Sequence, residues 1–144
     1  MEELREKFRE SIEGVVIALG EETVTVKAGS IVPVCRYLKE EGYTYLSDVT
    51  GVDLGEKREP RFQVLYHLYS IESGRRIRLK VNLPGSDPEV ESVTSVWKGA
   101  NWFEREAYDL FGIEFPGHPD LTRILLPDDF EGYPLRKDYP VRGR

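Results

Sequence analysis

The sequence predicts a two-layer α+β domain, ordered helix, two strands, helix, three strands, helix, with an extended C-terminal arm. Three observations carry that reading. Arg61–Ile71 and Arg75–Leu83 alternate apolar and polar residues, the period-2 pattern of half-buried strands. Asn101–Phe111 instead spaces Phe103, Ala107, Leu110 and Phe111 at i, i+4, i+7 and i+8, one helical stripe, and closes on Gly112. Beyond it, Pro116, Pro119, Pro127, Pro134 and Pro140, with Gly117 and Gly132, interrupt every period.

The remaining elements follow in chain order. Residues 2–13 place Leu4, Phe8 and Ile12 on one face of a charged helix, supported by Glu3 and Lys7 at i,i+4. Val15–Leu19, a turn at Gly20-Glu21-Glu22 and the alternating Thr23–Lys27 read as a hairpin. Ser30 is placed to cap a second helix with Val34, Tyr37 and Leu38 inside and Gly42 as its stop. Cys35 on that helix reads as a small packed residue, since no neighbour in sequence lowers its pKa. Tyr43–Asp53 is the first of three further strands, which form an antiparallel sheet. In the third, Ile77, Leu79, Val81 and Leu83 oppose Arg76, Arg78, Lys80 and Asn82, the latter a solvated face. Val90, Val93, Val96 and Trp97 suggest a short helical turn.

A chain of 144 residues is one domain by length. Lys and Arg number 20 against 26 Asp and Glu, and the net charge of −6 argues against nucleic acid or anionic lipid as the main partner. The single cysteine, Cys35, excludes an internal disulfide and an iron–sulfur cluster held by this chain alone. His67 and His118 lie far apart without a second cysteine, so no zinc pattern forms. With no signal peptide and no apolar run near ~18 residues, the expectation is a soluble intracellular protein that reaches a membrane only through partners.

Within the last helix, Asn101 is placed as N-cap and Glu104 as its capping-box partner. Arg105 and Asp109 form an i,i+4 ion pair. Glu106 lies between Trp102 and Leu110, so a half-buried carboxylate is expected there, with Arg123 or Arg136 as its cation. The arm then carries Leu121, Ile124, Leu125, Leu126, Phe130, Tyr133, Leu135 and Tyr139, too apolar for a disordered tail. With Arg136, Lys137 and Asp138 beside those anchors, the mix is that of an interface. The division expected is a domain over 1–127 and a partner-binding arm over 128–144, the arm being ordered by a partner and mobile without one.

Self-contained catalysis finds little to stand on. Glu104 and Glu106 point to different helix faces, and no nucleophile elbow, phosphate loop or dinucleotide fingerprint is present. His118 sits in a proline-locked turn, Gly117-His118-Pro119-Asp120, as a structural hydrogen-bonder. Asp48 and Asp53 read as strand-pinning residues outside any calcium-loop pattern.

The block from Ala100 to Ile113, with Asn101-Trp102-Phe103-Glu104-Arg105-Glu106-Ala107-Tyr108-Asp109-Leu110-Phe111-Gly112 at its centre, resembles the thirty-kilodalton subunit family of respiratory complex I (NADH-quinone oxidoreductase) and related membrane-bound hydrogenases. Gly117–Leu121, Arg123–Pro127 and Gly132–Pro140 continue the likeness, and Leu46–Asp53 is similar to the family's first central strand. The match covers roughly residues 30 to 140, with Thr122 where the family usually has a basic residue. The resemblance implies the same fold and a non-catalytic, cofactor-free subunit of the peripheral arm, on the cytoplasmic side of the membrane. Such a subunit braces the hydrogenase-like large subunit and the iron–sulfur subunits, which hold the clusters and meet the quinone. The alternatives are the same role in an energy-converting membrane-bound [NiFe] hydrogenase or F420 dehydrogenase, and, from another class, a free-standing protein-binding module. The partner-binding residues expected are Trp102, Glu106, His118, Arg123, Phe130, Tyr133, Leu135, Arg136, Lys137 and Tyr139.

Overall fold

The two alternating runs lie side by side at the heart of a five-stranded sheet in the computed structural model, which describes residues 2–18, 21–127 and 129–137. The elements are α1 (Glu2–Lys7), β1 (Ile12–Ala18), β2 (Glu21–Val26), α2 (Ile31–Glu40), β3 (Tyr45–Asp53), β4 (Phe62–Tyr69), β5 (Arg76–Leu83) and α3 (Ala100–Phe111). The α+β class and the element order are those expected from the sequence. Strand order is β1-β2-β5-β4-β3. The β1–β2, β3–β4 and β4–β5 pairs are antiparallel, and β2 meets β5 in parallel, the one pairing that departs from an all-antiparallel sheet.

One sheet face is the core. Phe62, Val64, Tyr66 and Leu68 of β4 and Ile77, Leu79, Val81 and Leu83 of β5 are buried, and Val24, Val26 and Val49 extend the layer. Ile31, Val34, Cys35 and Leu38 of α2 pack into the same cluster. Burial pushes the Cys35 thiol far up, with the Glu104 charge adding to it, which leaves the cysteine inert. Tyr37 is only half-buried, edge-on to Phe8.

Three local expectations are corrected. The first helix stops at Lys7 instead of running on to residue 13, because Ile12 joins the β-branched run Val15-Val16-Ile17, which favours a strand. Ser30 occupies the N-cap position of α2 but makes no side-chain cap bond, a 3-10 turn over Ala28–Ser30 leading in instead. Likewise, α3 begins at Ala100 with Gly99 as N-cap, so Asn101 lies inside the helix and no capping box forms. The segment around Val93 makes a single turn, with Val96 and Trp97 N–H groups donating to the Val93 carbonyl.

Candidate partner-binding site

The site is built on α3 and what is fastened to it. α3 packs on β3, where Gly51 permits the approach: a Cβ there would lie 2.9 Å from the Phe111 ring and 3.1 Å from Ile113. The helix ends as expected at Gly112, left-handed at φ 76°. That glycine has a second duty. Tyr133 and the Arg136 guanidinium lie against it, each 2.8 Å from where a Cβ would stand.

Residues 129–137, the described part of the arm expected over 128–144, dock on their own domain. The Leu135 N–H donates to the Leu110 carbonyl at 3.0 Å, and Arg136 Nε donates to the Phe111 carbonyl. The Lys137 N–H donates to Asp53 Oδ2 at 2.8 Å. Tyr133 sits between two guanidinium groups, Arg123 at 4.9 Å and Arg136 at 5.0 Å, and Arg136 also covers the Phe62 ring. Asp138, Tyr139 and Pro140 lie outside the described residues.

Two buried carboxylates hold this arrangement. Asp109 accepts from Arg123 at 2.8 Å and from the backbone N–H groups of Leu125, Leu126 and Ile124 at 2.7, 3.0 and 3.2 Å. Burial alone would raise its pKa; Arg123 and the three N–H groups outweigh that and hold it below the ordinary value. Asp53 accepts both Nε and Nη2 of Arg61 at 2.9 Å, and the N–H groups of Gly55 and Lys137. The Arg61 hydrogen bond above all, against the opposing effect of burial, keeps its carboxyl far below the usual range. Asp53 thus pins the end of β3, as expected from the sequence; Asp48 instead meets His67 Nδ1 at 2.6 Å on the open sheet face.

The residues singled out from the sequence divide into two groups. Arg123, Tyr133, Arg136 and Phe130 face inward to the clasp, Arg123 lying 5.6 Å from the Phe130 ring. His118 also acts within the chain: its Nδ1 accepts from the Asp120 N–H, so the ring proton sits on Nε2 and is donated to the Asn101 carbonyl at 3.2 Å. Facing out are Trp102, 51% exposed, Leu135, 51% exposed, and the exposed Lys137. Leu125, absent from the residues expected to bind a partner, joins them at 52%. At helical rise Trp102, Glu106 and Leu110 span about 12 Å along one side of α3.

Two carboxylates depart from the roles expected of them. Glu106 is half-buried but makes no hydrogen bond or ion pair among the described residues; Arg123 and Arg136 are committed elsewhere. Glu104 is the desolvated one, with no exposed surface. Ser92 Oγ donates to its Oε1 at 2.6 Å and the Val93 N–H to its Oε2 at 2.8 Å. Burial nevertheless raises its pKa to about 7 against those two bonds. The available signal was that Ala100 and Ala107 flank Glu104 at i−4 and i+3, small residues that let this face approach the core. The expected Arg105–Asp109 pair is also replaced: Arg105 donates to Thr122 and to the Arg123 carbonyl. In the stripe, Ala107 is buried, whereas Phe103, Leu110 and Phe111 are half-buried.

Among the described residues no group of three or more His, Cys, Asp or Glu is placed to hold a metal, and no helix is long and apolar enough to cross a membrane.

Fold and clasp together define a class: an α+β domain whose last helix carries a fastened C-terminal arm. Residues 24–144 match the family described as respiratory-chain NADH dehydrogenase, 30 Kd subunit. The chain is 52% identical over 141 residues to the C subunit of NADH-quinone oxidoreductase from Geobacter sulfurreducens, covering 97% of this chain and 87% of that one. To the corresponding C 2 subunit from Rhizobium etli it is 48% identical over 143 residues, covering 97% and 75%. Among solved structures it is similar to a trypsin-resistant fragment of Nqo5, TM-score 0.73 at 36% identity, over 83% of this chain and 95% of the other. It is also similar to a chain of the membrane-bound sulfane sulfur reductase, an archaeal respiratory membrane complex, TM-score 0.82 at 27% identity, over 96% and 82%. The chain belongs to the 30 Kd subunit family of respiratory-chain NADH dehydrogenase, and its relatives are subunits of a multi-subunit oxidoreductase complex.

Proposed function

We propose that this chain is a non-catalytic subunit of a complex I-type NADH-quinone oxidoreductase that braces the hydrogenase-like large subunit and its iron–sulfur neighbours. It carries no redox group of its own; clusters and quinone belong to the partners. It sits peripherally on the cytoplasmic side and meets the membrane through them. The observation that supports this best is the set Trp102, Leu125 and Leu135: large apolar side chains half in water on a backbone fastened by buried carboxylates. A tryptophan anchor with apolar neighbours on a pre-organised surface is what a stable interface uses. The inert, buried Cys35 agrees with a chain that ligates no cluster.

The relatives from NADH-quinone oxidoreductases favour the complex I type over a hydrogenase or F420 dehydrogenase host. The likeness to a chain of the sulfane sulfur reductase agrees with a bracing role that is independent of the electron acceptor. The test is Trp102→Ala with Leu135→Ala in the assembled complex. Incorporation should weaken by about 2 kcal/mol or more per anchor while the isolated chain melts as before. Full incorporation of the double variant would remove this surface from the interface.

A further inference from the structure

We propose that the partner subunit brings a cation to α3, an arginine that pairs with Glu106 and lies on the Trp102 ring. The inference deepens the bracing role and rests on it: it names what the partner must present to that same surface.

Most of the circumference of α3 is covered by this chain. Glu104 and Ala107 are buried in the core. Asp109 and Arg105 hold residues 122–126, and Tyr108 meets the Tyr133 ring edge-on. What is left is the side carrying Trp102, Glu106 and Leu110, neighbours in one row at i, i+4 spacing. Leu125 and Leu135 are fastened to the same turns of the helix, their N–H groups donating to Asp109 Oδ2 and to the Leu110 carbonyl.

In the middle of that apolar row stands a carboxylate that the described residues leave unanswered. The positions three and four away on the helix hold Trp102, Phe103, Asp109 and Leu110, none of them a cation. The arginines nearby are committed. Arg105 donates to Thr122 and to the Arg123 carbonyl, and Arg123 pairs with Asp109. Arg136 donates to the Phe111 carbonyl and lies over the Phe62 and Tyr133 rings. The buried Asp53 and Asp109 each have an arginine of this chain; Glu106 has none.

In the isolated chain water serves Glu106. A partner seated on Trp102 and Leu110 removes that water, and a carboxylate then needs an opposite charge. Arginine fits the row best. One edge of its planar guanidinium bonds the carboxylate while its face stacks on the indole one turn away, whereas lysine offers only a point charge.

Competition between tagged variants and the unmodified chain for incorporation into the native complex tests this. Glu106→Gln should melt like the unmodified chain when isolated yet incorporate about tenfold less or worse. Glu106→Lys should lose about tenfold again, because it sets like charges face to face. Full incorporation of Glu106→Gln, with loss for the Trp102→Ala and Leu135→Ala pair, would overturn the cation and leave the bracing surface standing. Full incorporation of all these variants would overturn the bracing surface as well. Equal loss for Glu106→Gln and Glu106→Lys would show that no cation faces this position. A melting temperature of isolated Glu106→Gln lowered in step with its incorporation would assign the carboxylate to the fold and overturn the proposal. A carbodiimide cross-link from Glu106 to a partner amine would show a lysine and overturn the arginine.

Discussion

Asp109 and Arg123 stand 14 residues apart in sequence and meet at 2.8 Å, the carboxylate wholly buried and the guanidinium nearly so. The remaining Asp109 oxygen gathers three consecutive N–H groups, Ile124 to Leu126, into one turn. This pair sets the path of the chain beyond α3. Removing one member leaves a buried charge or orphaned donors, so Asp109→Ala should cost about 3–5 kcal/mol. Urea unfolding of the isolated chain measures it. A loss below about 1 kcal/mol would mean that the turn relaxes into water.

The arm is fastened at its far end by Asp53. Asp53→Ala removes the acceptor shared by the Lys137 N–H and the Arg61 guanidinium. Trypsin cleavage after Arg136 should then rise several-fold at unchanged cleavage after the exposed residues of α1. Both Asp53 and Asp109 have lowered folded-state pKa values. Their contribution is complete above the ordinary aspartate value of 3.8 and is lost as pH falls through the lowered values. Acid should therefore loosen the arm, read as faster cleavage by pepsin near Leu135.

Glu104 has the opposite sign. Its pKa rises from 4.5 to about 7 on folding, so the native state binds the extra proton between those values. The stability this group contributes should be greatest below 4.5 and fall by about 3 kcal/mol as pH rises to 7, then level off. Glu104→Gln keeps the acceptor for Val93 N–H and can donate to Ser92 Oγ. Urea midpoints between pH 5 and 8 should lose that slope in the variant. Parallel slopes for both chains would place the titration elsewhere.

Gly112 and Gly99 make a matched pair at the two ends of α3. Gly112→Ala meets a left-handed φ of 76° and two groups at 2.8 Å, so a loss well above about 1 kcal/mol is expected. Gly99 has φ −62° and no atom within 4 Å of a new Cβ, so Gly99→Ala should change stability by no more than about 0.5 kcal/mol. Thermal unfolding of the two variants separates conformational cost from simple loss of a glycine.

Much of this fold was legible because strong periods mark β4 and β5, and Gly112 marks the stop of α3. The parallel β2–β5 pairing was not, since strand order depends on long-range packing that local alternation does not encode. At the site, the right stretch stood out but its carboxylates were misassigned. Trp102 and Leu110 bracket Glu106 at helical spacing, which suggested burial, yet Trp102 itself faces water. Glu104 is flanked by alanines, and small neighbours give a weak hydrophobic signal although they allow the closest packing. Tyr133 and Arg136 were assigned to a partner because their backbone has no period; Tyr133 meets the Tyr108 ring edge-on and Arg136 donates to the Phe111 carbonyl, contacts without a sequence pattern.

Hydroxyl-radical footprinting of Trp102, Leu125 and Leu135, in the isolated chain and in the complex purified from native membranes, addresses the bracing role most directly. The three side chains should be oxidised readily in the isolated chain and at least tenfold more slowly once assembled, while Ile71, exposed on a distant turn, stays unchanged. Equal oxidation of Trp102, Leu125 and Leu135 in both states would contradict it.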